Sequence, residues 1–335
     1  MKTNRIKPET GFMLTLLAAA CVFSGGCGQK PQKIFRVGII SGSKPFANIA
    51  DGFKAKMTEL GYVEGKNIVY ELKDSYANPN GSRQDAGKFV ADKVDLIFAF
   101  PTEPALAAKT AALGSGIPVL FAMSGIEGTG LVESVSRPGG NITGVRFPGS
   151  ELMAKRLDIL CELAPKARRI YLVYDRNYPL AAATLGQLRQ AAAPLGVKLV
   201  EEPVNDLDGL RAVLRKRAAM KDPGIDAIMI MPEILTQTPA GFAAIIKFAD
   251  EHNMPIAGAA GPTVYLGAIF SFTPDNVEIG GHAATLADKI LKGVPAGEIM
   301  VVTPEAYLRL NYKVIQKLGL TANEGLLSRA KEIIR

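Results

Sequence analysis

The feature that most limits what this chain can fold into is a stretch written twice: VDLIFAFPTEP at 94–104 and IDAIMIMPEIL at 225–235. Each copy has an aspartate second, Asp95 or Asp226, runs through apolar residues, and halts at a proline, Pro101 or Pro232, before Thr102 or Glu233. Short unbroken apolar runs closed by turn residues fit strands covered on both faces, as strands of parallel sheets are. The rest of the chain alternates such runs with helical patterns, the signature of βαβ units.

The first half reads as strands FRVGII, NIVYEL, DLIFAF, PVLFAM and NITGV, with helices over FANIADGFKAKMTELG, SRQDAGKFVAD and EPALAAKTAAL and a short helix near GLVESV. In the first helix Ile49, Phe53 and Leu60 fall on core-facing positions and Gly61 marks the stop. The second half repeats the plan with strands IYLVYDRNYP, VKLVEEP, DAIMIM and MPIAGAA, separated by helices over LAAATLGQLRQAAAPLG, DLDGLRAVLRKRAAM and PAGFAAIIKFADEH. The spacing between the halves is about 130 to 137 residues, far longer than a solenoid period. The tail adds a strand, a helix carrying Ile279, Ala283, Leu286 and Ile290 on one face, then short strands and another helix. Such segments are candidates to cross back and complete both halves. The predicted fold is α/β: two doubly wound parallel-sheet lobes joined by hinge strands. The N-terminal lobe is expected over 34–145 plus about 274–299, and the C-terminal lobe over 146–273 plus about 300–335.

The first residues stand outside this plan. Lys2, Arg5 and Lys7 precede GFMLTLLAAACVF, a stretch too short to span a bilayer as a mature helix, and small residues follow, which is the pattern of a secretory signal over 1–26. The stretch ends SGGCGQKPQK, which resembles a bacterial lipobox with Cys27 as the lipid-bearing residue and 27–33 as tether, although Ser24 stands where leucine is usual. Cys21 is the competing acceptor, and cleavage without lipid is the third reading. With Cys21 removed and Cys27 acylated, Cys161 alone remains, on an amphipathic helical pattern where a small core residue is the default. No disulfide can then be drawn, and a chain of this length does not need one.

The formal charge of +7 is interspersed with acids, and Lys2, Arg5 and Lys7 against Glu9 account for +2 of it, leaving +5. No basic stripe, Cys/His metal spacing or second hydrophobic span is present, so no nucleic acid, metal or cofactor is expected. VGIISGSKPF breaks the dinucleotide-binding glycine pattern, and no phosphate-loop lysine motif occurs. His252 and His282 have no visible Ser or Cys partner, which argues against an enzyme.

Open parallel sheets bind ligands beyond the carboxyl ends of their strands. The exits here are SGSKPF, PTEP, SGIEGTG, DRNYP, PEILTQT and GAAGPT. Two lobes facing each other bring these loops across one cleft, so each copy of the repeated stretch supplies one wall of a shared site. Candidate ligand-binding residues are Ser41, Ser43, Phe46, Thr102, Glu103, Ser124, Asp175, Asn177, Tyr178 and Glu233. For the hydroxyls the competing role is helix capping; for Glu103, opposition to a helix dipole; for Asp175 and Asn177, turn formation before Pro179. Phe46 and Tyr178, one from each lobe, can sandwich a planar or apolar body or else pack as core.

ELGYVEGKNIVYE, RPGGNITGV, KRLDILCELAPKARRI and the late DKILKGVPAGEIMV, YLRLN and LGL resemble the ABC transporter substrate-binding family that includes tryptophan- and aromatic-amino-acid-type binding proteins. The likeness runs in order from about Arg36 to the C-terminus. It implies a type I periplasmic binding-protein fold whose two lobes close on a small solute, and a membrane permease driven by a separate ATPase as partner; with the lipobox-like start, the expectation is a lipid-anchored extracytoplasmic monomer that takes a small polar solute such as an amino acid. It also implies ligand contacts from Ser41 and Ser43, from Thr102, and from Asp175 and Asn177. Glu103 and PEILTQ depart from the family pattern. The same body also suits a sensory subunit that reports its ligand state to a membrane signalling protein.

Overall fold

Both repeated stretches become interior strands, each in its own sheet. The computed structural model describes residues 1–3, 33–42, 44–75 and 78–335. Residues 4–32, which hold most of the expected leader, Cys21, Cys27 and the tether as far as Gln32, lie outside these residues, as does Ser43. The folded unit runs from Ile34 to Arg335. Its first sheet is built from β1 (Phe35–Ser41), β2 (Ile68–Asp74), β3 (Leu96–Phe100), β4 (Val119–Ser124) and β5 (Ile142–Arg146), parallel throughout in the order β2-β1-β3-β4-β5. The helices between them are α1 (Asn48–Glu59), α2 (Pro79–Ala91) and α3 (Thr102–Ala111).

After α4 (Gly149–Leu163) the pattern recurs: β6 (Arg169–Asp175), α5 (Ala181–Leu195), β7 (Lys198–Val204), α6 (Leu207–Ala218), β8 (Ala227–Met229), α7 (Ile234–Gln237), α8 (Pro239–Glu251) and β9 (Ile256–Gly258). The chain closes with β10 (Phe270–Thr273), α9 (Asn276–Leu291), β11 (Tyr307–Asn311), α10 (Tyr312–Lys317), α11 (Glu324–Arg329) and β12 (Ala330–Ile334). Strand order in the second sheet is β12-β11-β10-β9-β8-β6-β7. Read from the β7 edge, β7-β6-β8-β9-β10 reproduces the order of the first sheet, with β11 antiparallel to β10 and β12 parallel to β11 added outside.

Alternation along the repeated strands explains why they are apolar on both faces. Leu96, Phe98 and Phe100 point into the core shared with α1 and α9, while Ile97 and Ala99 face α2 and α3. Ala227, Met229 and Met231 likewise face the α4 and α5 side, and Ile228 and Ile230 the side of α6 and α8. The aspartates second in the two copies do the same work. Asp95 accepts the backbone N–H of Arg36 at 2.8 Å, and Asp226 accepts those of Arg168 and Arg169 at 2.8 and 2.7 Å. Each pins the start of its lobe's first strand to the repeated interior strand.

The chain passes between the sheets three times. β5 lies in the first sheet, while α4 packs into the second sheet's core through Met153, Leu157 and Leu160. β10 belongs to the second sheet, but Ile279, Ala283, Leu286 and Ile290 of α9 return to the first core. Val302 still bridges to Val145 before β11 rejoins the second sheet. Glycine lets α9 lie directly on α1: a Cβ on Gly52 would sit 2.1 Å from the Val277 carbonyl oxygen, and one on Gly280 would sit 2.2 Å from that of Ile49.

Three local expectations differ from what forms. The segment near GLVESV is not helical: Gly128 and Gly130 take φ of 72° and 68°, and the backbone pairs outward instead, with Val301 N–H donating to Val135 O. β8 and β9 are shorter than their apolar runs. α11 and β12 complete the far edge, a position the tail's polar composition did not announce.

Candidate ligand-binding site

A cavity of about 220 Å³ lies where the carboxyl ends of the two sheets confront each other. The first sheet contributes Gly42 after β1, Thr102 and Glu103 after β3, Met123 on β4 and Phe147 after β5. The second contributes Tyr178 and Leu180 after β6, Pro232 to Ile234 after β8, and Ala259 to Pro262 after β9. Thr273 and Asn276 flank one of the crossings. Pro101 and Pro232, the matched residues of the repeated stretch, both line the cavity, so the two copies do form opposing walls. The walls approach closely where Gly125 faces Leu180: a Cβ on Gly125 would come within 2.3 Å of Leu180 Cδ1.

Of the residues expected from sequence, Phe46, Thr102, Glu103, Tyr178 and Glu233 line this cavity. Ser41, Ser124, Asp175 and Asn177 do not. Ser41 is buried at the end of β1 with its hydroxyl unpartnered, one residue short of the lining at Gly42. Ser124 is displaced by a bulge: pairing with β5 slips at Met123, which takes φ 50° and supplies the lining side chain, while the Ser124 hydroxyl donates to Ala122 O at 3.0 Å. Asp175 accepts the backbone N–H of Asn177 at 2.8 Å, an Asx turn that leaves Asn177 exposed. Thr102 faces the cavity yet is also structural, since its Oγ1 accepts the Gly125 N–H at 3.0 Å and ties the exit of β3 to that of β4.

The polar inventory is short and uneven. The Glu233 carboxylate is buried and committed to the start of α7, where it accepts the N–H groups of Leu235 and Thr236 and the Thr236 hydroxyl. Burial pushes it above the ordinary glutamate range, against the pull of those hydrogen bonds. Glu103 and Lys44, both from the first lobe, make no hydrogen bond or ion pair with another described residue, and are the free charges at the cavity. Burial raises the Tyr178 phenol well above its usual value, helped by the charges of Glu103 and Glu233. The remaining lining is largely apolar, with Phe46, Met123, Phe147, Leu180 and four prolines among it. Such a surface grips a compact apolar body and offers few fixed polar partners.

Sequence reasoning missed several contributors. Phe147 sits just past β5 and Thr273 ends β10, so reading every strand exit alike finds them. Arg156, fully buried just behind the second wall, was legible as a charge on an apolar stripe: Met153, Leu157 and Leu160 share its helix face. Neither histidine lines the cavity; His252 stacks on Phe248 at the end of α8. Among the described residues no cluster of metal-ligating side chains occurs, and no helix is long and apolar enough to cross a membrane.

Comparison with known proteins places this arrangement. A family model described as ABC transporter substrate binding protein matches residues 37–334. A tyrosine-binding protein of Clostridioides difficile (strain R20291) is 26% identical over 273 residues, covering 80% of this chain and 76% of that protein. The ABC domain from Streptococcus pneumonia in complex with L-Trp superposes with a TM-score of 0.79 at 20% identity, covering 90% of this chain and all of that one. A conserved domain protein from Vibrio cholerae O1 biovar eltor str. N16961 superposes at 0.77 with 26% identity, covering 90% of this chain and 99% of that one.

Proposed function

This chain belongs to the ABC transporter substrate-binding protein family, and on that premise we propose that it is a lipid-anchored receptor that closes its two lobes on an amino-acid-like solute and delivers it to a membrane permease. Substrate-binding proteins of ABC transporters are extracytoplasmic and are not enzymes, in keeping with a leader-like start at Lys2, Arg5 and Lys7. In this reading Cys27 carries the anchor and the mature protein is a monomer. The moving bodies are 34–145 with about 274–299, and 146–273 with about 300–335.

The observation that carries the proposal is the cavity whose walls come from opposite sheets and whose largely apolar lining carries two free charges, Glu103 and Lys44, on the first-lobe side. Its volume of about 220 Å³ lies below the roughly 300–1,000 Å³ of pockets for drug-sized ligands, so the solute is small. Phe46 and Tyr178 from the two lobes cover an apolar or planar body, and Glu103 receives a ligand ammonium. Tyrosine and tryptophan, bound by the relatives above, have both features. A thermal-shift panel of the amino acids on the folded protein tests this. A bound amino acid at a hundredfold excess over Kd stabilises by about 2.7 kcal/mol. If no member of the panel shifts the transition while another solute class does, the amino-acid assignment is wrong.

A further inference from the structure

Arg156 is the one large charged side chain in the deep interior beside the cavity that the site so far leaves unexplained. It sits on α4 with no measurable exposure. Its Nε donates to Phe272 O at 2.9 Å, its Nη2 to Ala259 O at 2.6 Å, and its Nη1 approaches the Met153 sulfur at 3.5 Å. Among the described residues no carboxylate lies within 4.0 Å of it, whereas buried charges are as a rule paired. The partners it does have are informative: Ala259 itself lines the cavity, and Phe272 precedes Thr273, which also does. Burial pulls the guanidinium down to about 9, and Tyr178, a wall residue, pulls it back. The nearby acids are disposed otherwise, because Glu233 is spent on α7 and Glu103 stands on the first lobe.

Resting on the amino-acid reading above, we infer that Arg156 is a positioning residue that selects a ligand carboxylate: its uncompensated positive charge behind Ala259 and Tyr178 draws the anionic end of a zwitterion to the second lobe, while Glu103 holds the ammonium on the first. The ligand therefore spans the cleft with a fixed polarity, and each lobe grips one of its charges. A molecule with the ammonium and ring but no carboxylate is held by the first lobe alone. No contact between Arg156 and the ligand is needed, since a charge behind a low-dielectric wall acts across it.

The test compares L-tyrosine with tyramine, and L-tryptophan with tryptamine, by titration calorimetry on the wild type, on Arg156→Gln, Arg156→Lys and Lys44→Gln, and on Lys313→Gln as an exposed control outside the cavity. The wild type should bind each amino acid at least tenfold more tightly than its amine. Arg156→Gln should abolish that ratio by weakening the amino acids while leaving the amines within about twofold, Arg156→Lys should keep it, and Lys313→Gln should leave it intact. Equal losses for acid and amine in Arg156→Gln make the arginine a structural brace and overturn the inference, as does a preference that Lys44→Gln removes while Arg156→Gln keeps it. Should Arg156→Gln fail to fold, a wild-type ratio near one still refutes the selection. A wild type that binds none of the four probes, yet binds another solute, removes the amino-acid reading and the inference together.

Discussion

Gly52→Ala and Gly87→Ala make the same chemical change on two helices and should move stability in opposite directions. Both residues lie inside helices, so each alanine gains about 1 kcal/mol of helix propensity. At Gly87 the added methyl meets nothing within 4 Å, and the gain stands alone. At Gly52 it would sit 2.1 Å from Val277 O and 2.8 Å from Val277 Cα, where ordinary contact begins near 3.4 Å. Those are backbone atoms of α9, which cannot rotate away, so α1 and α9 must separate by more than ~1 Å. Overpacking of this kind costs about 1–3 kcal/mol, and a backbone obstacle places it at the upper end. The propensity gain leaves a net loss of about 2 kcal/mol, and because that term cancels between the variants they should differ by about 3 kcal/mol. The separation also moves a cavity wall, because Asn276 opens α9 and its amide donates to Asn48 Oδ1 on α1 at 2.9 Å. Urea unfolding of the two variants beside the wild type reads the difference directly. A Gly52→Ala protein as stable as Gly87→Ala would refute the close-packed α1–α9 interface.

Four further outcomes follow from particular contacts. Glu103→Gln should weaken binding of L-tyrosine and of tyramine alike by about tenfold, about 1.4 kcal/mol by calorimetry, because both carry the ammonium. Glu233→Ala, which uncaps α7, should cost about 1–2 kcal/mol in urea unfolding near neutral pH. Glu233 also sets a pH signature: its folded-state value lies above the unfolded one, so the pH-linked part of its contribution is intact below the ordinary value of about 4.3 and is lost as pH rises through the folded value, while the cap of α7 persists. The stability of the wild type relative to Glu233→Gln should accordingly fall as pH climbs through that window, and a rising difference would contradict it. Ser41→Ala removes a buried hydroxyl without a partner and should raise the stability of the unliganded protein by about 1 kcal/mol in the same assay.

Fold and site were unequally legible, for a physical reason. A strand covered on both faces must be apolar along its whole length, so DLIFAF and IYLVYD announced themselves, and the duplicated order of strands followed from their spacing. The end of a strand is set by pairing with its neighbour, which a single strand's composition does not encode. Ser124 shows the consequence: one slipped residue at Met123 exchanged which side chain meets the cavity. Glu233 combined both roles, being a helix cap and a wall residue at once, whereas Asp175 proved to be a turn former at a loop that also delivers Tyr178. Arg156 reaches the site by tertiary packing of α4 against strands about a hundred residues away, a relation no local pattern expresses.

In the receptor proposed above, the duplicated proline exit has an energetic sense. An aromatic side chain buries about 150–250 Å², which at about 25 cal/mol per Å² is about 4–6 kcal/mol. With Pro101 and Phe46 on one lobe and Pro232 and Tyr178 on the other, neither lobe alone covers both faces of such a body. About half of that energy, roughly 2–3 kcal/mol, is then available only when the lobes meet, and a ligand biases an equilibrium only by its differential affinity for the two states. That surplus shifts an open–closed ratio by about 30- to 150-fold, enough to convert a mostly open receptor into a mostly closed one. A single deep pocket within one lobe would bind as tightly without coupling occupancy to shape. In the function proposed above, two matched half-sites on separate sheets make closure a condition of tight binding, which is the property a permease can read.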